Sequence, residues 1–403
     1  MPVNLTPPEN LLPVAGIRLS AVAAGIRYQG RNDLVLMELA PGSQCAAVFT
    51  RNAFCAAPVL VAKEHLREQA PRYLLINSGN ANAGTGDQGL KAAWQTCEVL
   101  AALSKCEPAA VLPFSTGVIG EQLPVNCFEQ ALPDAVNQLS ADSWAVAAEG
   151  IMTTDTVAKA ISCQVELSTG VVTITGMSKG SGMIHPDMAT MLAYVATDAV
   201  IESELLQSLL SEVTDETFNC ITVDGDTSTN DALVLVATGQ SGVSVVPQAD
   251  LAAFKNGLHD VCLHLAQAIV RDGEGATKFI TIDVEGALDR AEAKAVGNTV
   301  ALSPLVKTAM FASDPNWGRI LAAVGRSPVV DLDVSQITVW LGDTLLIEAG
   351  QPAKSYVEEL GQEAMQPAEI NIRIQLGRGD ARAETWTCDF SYDYVKINAE
   401  YRS

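Results

Sequence analysis

"KGSGMIHPDMATMLAYVATDA", residues 179–199, lies near the midpoint of a 403-residue chain. Its first half is small or helix-breaking, with Gly180, Gly182 and Pro186, and the residues after Ala189-Thr190 turn abruptly into an apolar run that reads as a strand. The seam is a loop-to-strand junction with a Thr at the strand's head. Outward from it lie a strand-like "VVTITG" (171–176) and "ESELLQSLLSEVTDETF" (202–218), which has the 3.6-residue spacing of an amphipathic helix. Further out, "DLVLMEL" (33–39) and "YLLINS" (73–78) read as strands and "LKAAWQTCEVLAALS" (90–104) as a helix. Later come "DALVLVATG", the helical "LAAFKNGLHDVCLHLAQAIV", the strand "KFITIDVEG" and a final "EINIRIQLGRG". This alternation predicts an α/β protein with several sheets or one large one. With no internal repeat or low-complexity tract, any domain boundary is soft.

The composition narrows the class. Hydrophobic residues make up 48% of the chain and aromatic ones 5%, so the interior must be built from Ala, Val, Leu and Ile. Asp and Glu total 47 against 25 Lys and Arg, a net charge of −22 that repels nucleic-acid backbones and anionic lipid headgroups. Nine cysteines without a CxxC pair make a poor disulfide framework and read as reduced, mostly buried thiols. "MPVNLTPPEN" lacks the basic and apolar regions of a signal peptide, and Ala232–Ala249, long and uncharged, is broken by Gly, Gln, Ser and Pro. A cytoplasmic location is expected.

Several motifs compete for the chemistry. "GTGDQG" (84–89) fits GxGxxG spacing, but "NSGNANA" separates it from the preceding strand, where a dinucleotide fingerprint needs its glycines directly after the strand. A Gly- and Asn-rich loop near the site, supplying backbone donors, is the better expectation. The four histidines form no HExxH, and His259 and His264 read as ordinary helix residues. No GxSxG elbow is present.

A Thr hydroxyl is a weak nucleophile unless a base lies beside it, and an N-terminal Thr carries that base as its own α-amine. An internal Thr gains such an amine only if the chain is cut before it. A glycine-rich loop on one side and a strand on the other could hold the Ala189-Thr190 peptide strained for attack by its own hydroxyl. Taken alone, the residues leave this open against an ordinary Thr at a strand start, which β-propensity favours.

"KGSGMIHPDMATML" closely resembles the self-cleavage segment of the bacterial ornithine acetyltransferases, which also act as glutamate N-acetyltransferases in arginine biosynthesis. Further matches run in order along nearly the whole chain: "SGNANAGTG", "STGVIG", "IMTTDT", "FNCITVDGDTSTND", "RDGEGATKF", "DPNWGRI" and "YVKINAEYRS".

The resemblance implies self-cleavage between Ala189 and Thr190, giving an α chain, 1–189, and a β chain, 190–403, that stay interlocked. Thr190 then takes the acetyl group from N2-acetyl-L-ornithine and passes it to L-glutamate in a ping-pong cycle. "STGVIG" looks like the family's oxyanion motif and carries that role onto Thr116 and Gly117. Substrate contacts carried over are Thr153, Lys179, Thr190, Glu274, Asn398 and Ser403, with Lys179 suited to a carboxylate and Glu274 to an ammonium. The implied fold is α/β, stacked mixed sheets flanked by helices, of the self-cleaving N-terminal-nucleophile-like kind, assembled as a dimer of cleaved pairs. No cofactor is implied, and acetyl-CoA stays open as a second donor. Asp187 and Ser403 depart from the residues common in the family, which bears on rates more than on function. Two other readings remain: a self-cleaving aminopeptidase or amidase of related fold, and a dinucleotide-binding protein built around "GTGDQG".

Overall fold

The computed structural model describes residues 2–185, 191–246 and 248–400. The first part of the chain runs β1 (Ile17–Val22), β2 (Leu34–Leu39), β3 (Gln44–Phe49), α1 (Ala57–Glu68), β4 (Tyr73–Asn80), α2 (Gly86–Ser104), β5 (Val111–Val118), α3 (Val125–Asn137), α4 (Trp144–Gly150), β6 (Lys159–Leu167) and β7 (Gly170–Lys179). It continues with β8 (Leu192–Thr197), α5 (Ser203–Glu216), β9 (Ala232–Ala237), α6 (Gln248–Arg271), β10 (Phe279–Ala287), α7 (Arg290–Ala301), α8 (Pro304–Phe311) and α9 (Trp317–Gly325). The last elements are β11 (Thr338–Leu341), β12 (Thr344–Glu348), β13 (Gln351–Pro352), α10 (Glu358–Ala364), β14 (Glu369–Gln375), β15 (Ala381–Cys388) and α11 (Tyr392–Ala399).

Two sheets stack face to face. The first has the order β1-β2-β4-β5 and the second β3-β9-β8-β7-β6. Leu19, Val35, Leu74 and Phe114 of the first sheet meet Met177, Tyr194 and Val234 of the second in one core. The outer face of the first sheet packs on α2 and α3 through Cys97, Leu100, Phe128 and Leu132. The outer face of the second packs on α5 and α6 through Leu206, Leu210, Phe254 and Leu265. Four layers result, helix, sheet, sheet, helix: the α/β class read from the alternation of segments, in the stacked arrangement that the resemblance implied. β8 and β9 are buried along their whole length. Covered on both faces, they can be apolar at every position, and "LAYVAT" and "ALVLVA" accordingly show no alternation.

A third sheet, β13-β12-β11-β14-β10-β15, has its own core with α7, α8 and α9, built on Ile282, Val296, Val339 and Ile372. Its root joins the sandwich, because Phe279, Trp386 and Cys388 belong to the core under the second sheet. The change from one core to the other therefore falls near β10.

The segments on either side of residue 190 are interleaved. β7 pairs with β8 antiparallel, β8 with β9 parallel, and β3, far upstream, closes the edge against β9. Second-sheet strands from before and after the expected cut are thus hydrogen-bonded neighbours.

Candidate active site

A cleft of about 310 Å³ opens where the ends of both stacked sheets meet. β5 of the first sheet ends there, β7 of the second ends there, and β8 and β9, parallel to each other, begin there. Side chains that leave these strand ends converge on one space, although they lie far apart in sequence.

Thr116 and Gly117 close the first-sheet side. β4 and β5 run parallel, and their register slips at Gly79 and Asn80 against Thr116 to Val118. Gly117 adopts φ +135°, and a Cβ there would lie 2.2 Å from the Gly79 carbonyl carbon. Only glycine lets the two backbones approach so closely. Lys179 Nζ donates to Thr116 Oγ1 at 3.1 Å. The Thr116 hydroxyl accepts that bond, so its own hydrogen is left to donate.

Lys179 is buried at the end of β7, so burial pushes its ammonium below the ordinary lysine range against the pull of Asp155, Asp231 and Glu274. Behind it runs a chain of buried charges. Lys159 Nζ sits 2.7 Å from both Asp155 Oδ1 and Asp272 Oδ2. Burial alone would raise Asp155, but Lys159 and Lys179 hold it well below the usual carboxylate range. The same carboxylate accepts the backbone N–H groups of Thr153 at 3.0 Å and Gly180 at 2.7 Å. Asp272 in turn accepts from Thr156 N at 2.9 Å and from the Thr156 hydroxyl. The loop that carries Thr153 is thus fixed to the strand end that carries Lys179.

Glu274 comes from the turn after α6 and is also buried. Its backbone N–H donates to Ser181 O at 2.8 Å, and its Oε2 accepts from Asn398 Nδ2 at 2.8 Å. Gly182 makes room for it, since a Cβ there would stand 2.5 Å from the Glu274 carboxyl. Asn398 belongs to α11, which is docked by a bond from Ser391 Oγ to Gly275 O at 2.6 Å and by Phe390 stacked on Tyr394 at 4.8 Å. The C-terminal helix therefore reaches the cleft.

Of the residues expected at the site, Thr116, Gly117, Thr153, Lys179, Glu274 and Asn398 all line this one cleft. Ala189, Thr190 and Ser403, and the variant position Asp187, lie outside the described residues; Met191, the residue after Thr190, lines the cleft. The loop at 78–86 borders the cleft through Ala81, whose carbonyl accepts from Asn230 Nδ2 at 2.6 Å. It contributes an acceptor held by Asn230 where backbone donors were expected.

Besides Asp155 and Asp272, two further acids escaped the sequence reading. Asp231, just ahead of β9, lines the cleft, and burial raises its carboxyl well above the usual range against the opposing effects of Ser228 and Lys179. Asp224 accepts Met183 N at 2.6 Å and Ile184 N at 2.9 Å, and so anchors the chain on its way toward residue 190. An acid directly ahead of a fully apolar strand was the available signal for Asp231.

The nine cysteines are all free thiols. Four are buried and five half-buried, so "mostly buried" overstated their depth. His259 and His264 lie on α6, as expected. Among the described residues no group of three or more His, Cys, Asp or Glu could hold a metal ion, and no helix is long and apolar enough to cross a membrane.

The ArgJ family model matches residues 18–403. The arginine biosynthesis bifunctional protein ArgJ of Methylococcus capsulatus is 56% identical over 395 residues, 98% of this chain and 97% of that protein. Among solved structures, the arginine biosynthesis bifunctional protein ArgJ of Bacillus halodurans is 41% identical, covers 51% of this chain and 96% of its own, and has a TM-score of 0.49. The ornithine acetyltransferase of Mycobacterium tuberculosis, solved with ornithine, is 36% identical, covers 44% of this chain and 94% of its own, and has a TM-score of 0.39. Matched by the family model over nearly its whole length and more than half identical to a curated member, the chain belongs to the ArgJ family.

Proposed function

We propose that this acyltransferase of arginine biosynthesis cuts itself between Ala189 and Thr190 and then works as a glutamate N-acetyltransferase through Thr190. Thr190 Oγ attacks the acetyl carbonyl of N2-acetylornithine, and the hydroxyl proton passes to the Thr190 α-amine. The oxygen of the tetrahedral intermediate takes hydrogen bonds from the Thr116 hydroxyl and the Gly117 N–H. Collapse breaks the amide C–N bond, and the departing ornithine amine recovers the proton from the α-amine. Glutamate then runs the same steps in reverse, its amine attacking the acetyl ester and the proton returning to Thr190 Oγ. The ester divides one difficult amide transfer into two acyl transfers.

One observation carries this reading: six residues from five separate stretches of chain, Thr116 to Asn398, share a single cleft with the residue that follows Thr190. The opposite charges of Lys179 and Glu274 suit the carboxylate and ammonium of an amino acid. The reading needs no prosthetic group, and acetyl-CoA as a second donor would load the same hydroxyl. It carries with it a cytoplasmic setting and a heterotetramer of two cleaved pairs.

The test is mass analysis followed by assay. Wild type should give two chains and Thr190→Ala one. Labelled N-acetylornithine given without glutamate should leave its acetyl group on Thr190, and added glutamate should remove it as N-acetylglutamate. An active uncut chain, or a label on another residue, overturns the proposal. Release of free acetate at the same rate with and without glutamate would make the protein a hydrolase instead.

A further inference from the structure

The two amino acids between which the acetyl group passes carry different charges. N2-acetylornithine brings one carboxylate and one side-chain ammonium, which Lys179 and Glu274 can balance one for one. Glutamate brings two carboxylates, and its amine must be neutral to attack. Among the described residues that line the cleft, Lys179 is the only Lys or Arg, and Asp231 and Glu274 stand against it. The second carboxylate of glutamate would be an unpaired charge there, so the acceptor needs a cation that the donor does not.

A second hollow, of about 250 Å³, adjoins the cleft and carries two such cations, Arg27 and Arg31. The two spaces share Gly117, Val118, Thr153 and Thr154 as a common wall, and at Gly117 that wall is bare backbone. Arg27, Tyr28 and Arg31 lie on the connection between β1 and β2. Buried Asp33 fixes that connection, its carboxylate accepting the N–H groups of Ala24 and Ile26, each at 2.7 Å. Both guanidiniums lie over the Tyr28 ring, Arg27 at 5.7 Å and Arg31 at 5.8 Å.

Their charges are not equally available. Arg27 Nη1 donates to both carboxylate oxygens of Glu121, at 3.1 and 3.0 Å. Arg31 donates through Nη2 to Met152 O at 2.6 Å and, among the described residues, forms no ion pair. That bond ties its guanidinium to the residue before Thr153, which lines both spaces. The other acid of the hollow is Glu400, on its exposed side. We propose that Arg31 is the specificity-determining residue for the acceptor: its guanidinium receives the side-chain carboxylate of glutamate where the two spaces meet, while Lys179 holds the α-carboxylate common to donor and acceptor. The inference rests on the glutamate acetyltransferase reading and names the group that selects a dicarboxylic acceptor. Donor and acceptor share one seat and part at the side chain, the ammonium toward Glu274 and the second carboxylate toward Arg31.

The experiment compares matured wild type, Arg31→Gln and Arg31→Lys, with N2-acetylornithine as donor and glutamate or its uncharged isostere glutamine as acceptor. Wild type is read first: if it moves no acetyl group to glutamate, the glutamate acetyltransferase reading falls, and the Arg31 assignment with it. If it does, the assignment stands or falls on the variants alone. Arg31→Gln should raise KM for glutamate about 10- to 100-fold, the usual loss for a hydrogen bond to a charged group, and leave KM for N2-acetylornithine unchanged. The preference for glutamate over glutamine, as a ratio of kcat/KM values, should fall by the same factor and be partly recovered in Arg31→Lys. That ratio does not depend on how much of a variant folds, so a poorly folding variant still decides the matter. An unchanged KM for glutamate, or an unchanged ratio, overturns the assignment. So does an equal rise in KM for both substrates, because Arg31 would then act through the Thr153 loop and not on the acceptor's side chain. A rise confined to KM for acetyl-CoA would give the hollow to that donor and overturn the assignment too.

Discussion

Because Lys179 donates to the Thr116 hydroxyl, the single hydrogen on that oxygen is directed by a buried cation before any substrate arrives. Thr116→Ala should lower kcat about 100- to 1000-fold, the usual loss for one oxyanion donor, and Thr116→Ser should restore most of it. Steady-state rates near wild type in the Ala variant would remove Thr116 from that role. Behind Lys179 the determining residue is Asp155. Its carboxylate serves Lys159 and two backbone N–H groups at once, so Asp155→Asn should cost about 3–5 kcal/mol at pH 7, the usual result of breaking one partner of a buried ion pair. The folded pKa of Asp155 is held below the unfolded value of about 3.9. Its contribution is therefore complete above that value and drains away as pH falls through it toward the folded pKa. Thermal melts of wild type and Asp155→Asn should differ most near neutrality and converge below about pH 4. A gap that stays constant with pH would separate Asp155's effect from its ionisation.

At the scale of elements, strands and helices with one clear environment were readable before the fold. β14 alternates exposed and buried residues, and α5 buries Leu206, Leu209, Leu210 and Val213 on one stripe. Pairing was not readable. β10 joins β14 in parallel across about ninety residues, and no local pattern in either strand specifies that neighbour, so the third sheet went unrecognised. The site divides in the same way. Thr116, Gly117, Lys179, Glu274 and Asn398 entered through family motifs, whereas Asp155, Lys159 and Asp231 were passed over because charged residues are ordinarily exposed. The i, i+4 spacing of Asp155 and Lys159 in "TTDTVAK" was a visible hint. α11 illustrates an element whose value lies in what it delivers. It buries no residue of its own and brings Asn398 to Glu274. Ending the chain after Ile397 should leave the melting temperature nearly unchanged and raise KM for both substrates about 10-fold or more, as expected for a lost hydrogen bond to a charged group. Unaltered KM values would show that Glu274 holds its position without help.

Across the whole molecule, a break before Thr190 would divide the chain without removing any strand pair of the second sheet. β7 and β8 remain hydrogen-bonded neighbours, and β3 and β9 lock the opposite edge. The inter-sheet core likewise draws on both segments, with Leu74 and Phe114 packed in one cluster with Tyr194 and Val234. Neither segment owns a complete sandwich, so neither should be stable alone, and the cut protein should elute at the size of an intact assembly. Its unfolding must differ, however, because two separate chains leave the folded state where one did before. For such an equilibrium the apparent stability depends on protein concentration. Each tenfold dilution is worth about 1.4 kcal/mol. For a chain of this size that corresponds to roughly 1–2 °C in melting temperature. Calorimetry over a hundredfold concentration range should show the matured wild type melting lower as it is diluted, and more steeply than uncut Thr190→Ala, because two cleaved pairs come apart into four chains where two uncut copies come apart into two. Equal slopes for the two would mean that assembly between copies, and not the interleaving of the two segments, sets how the molecule comes apart.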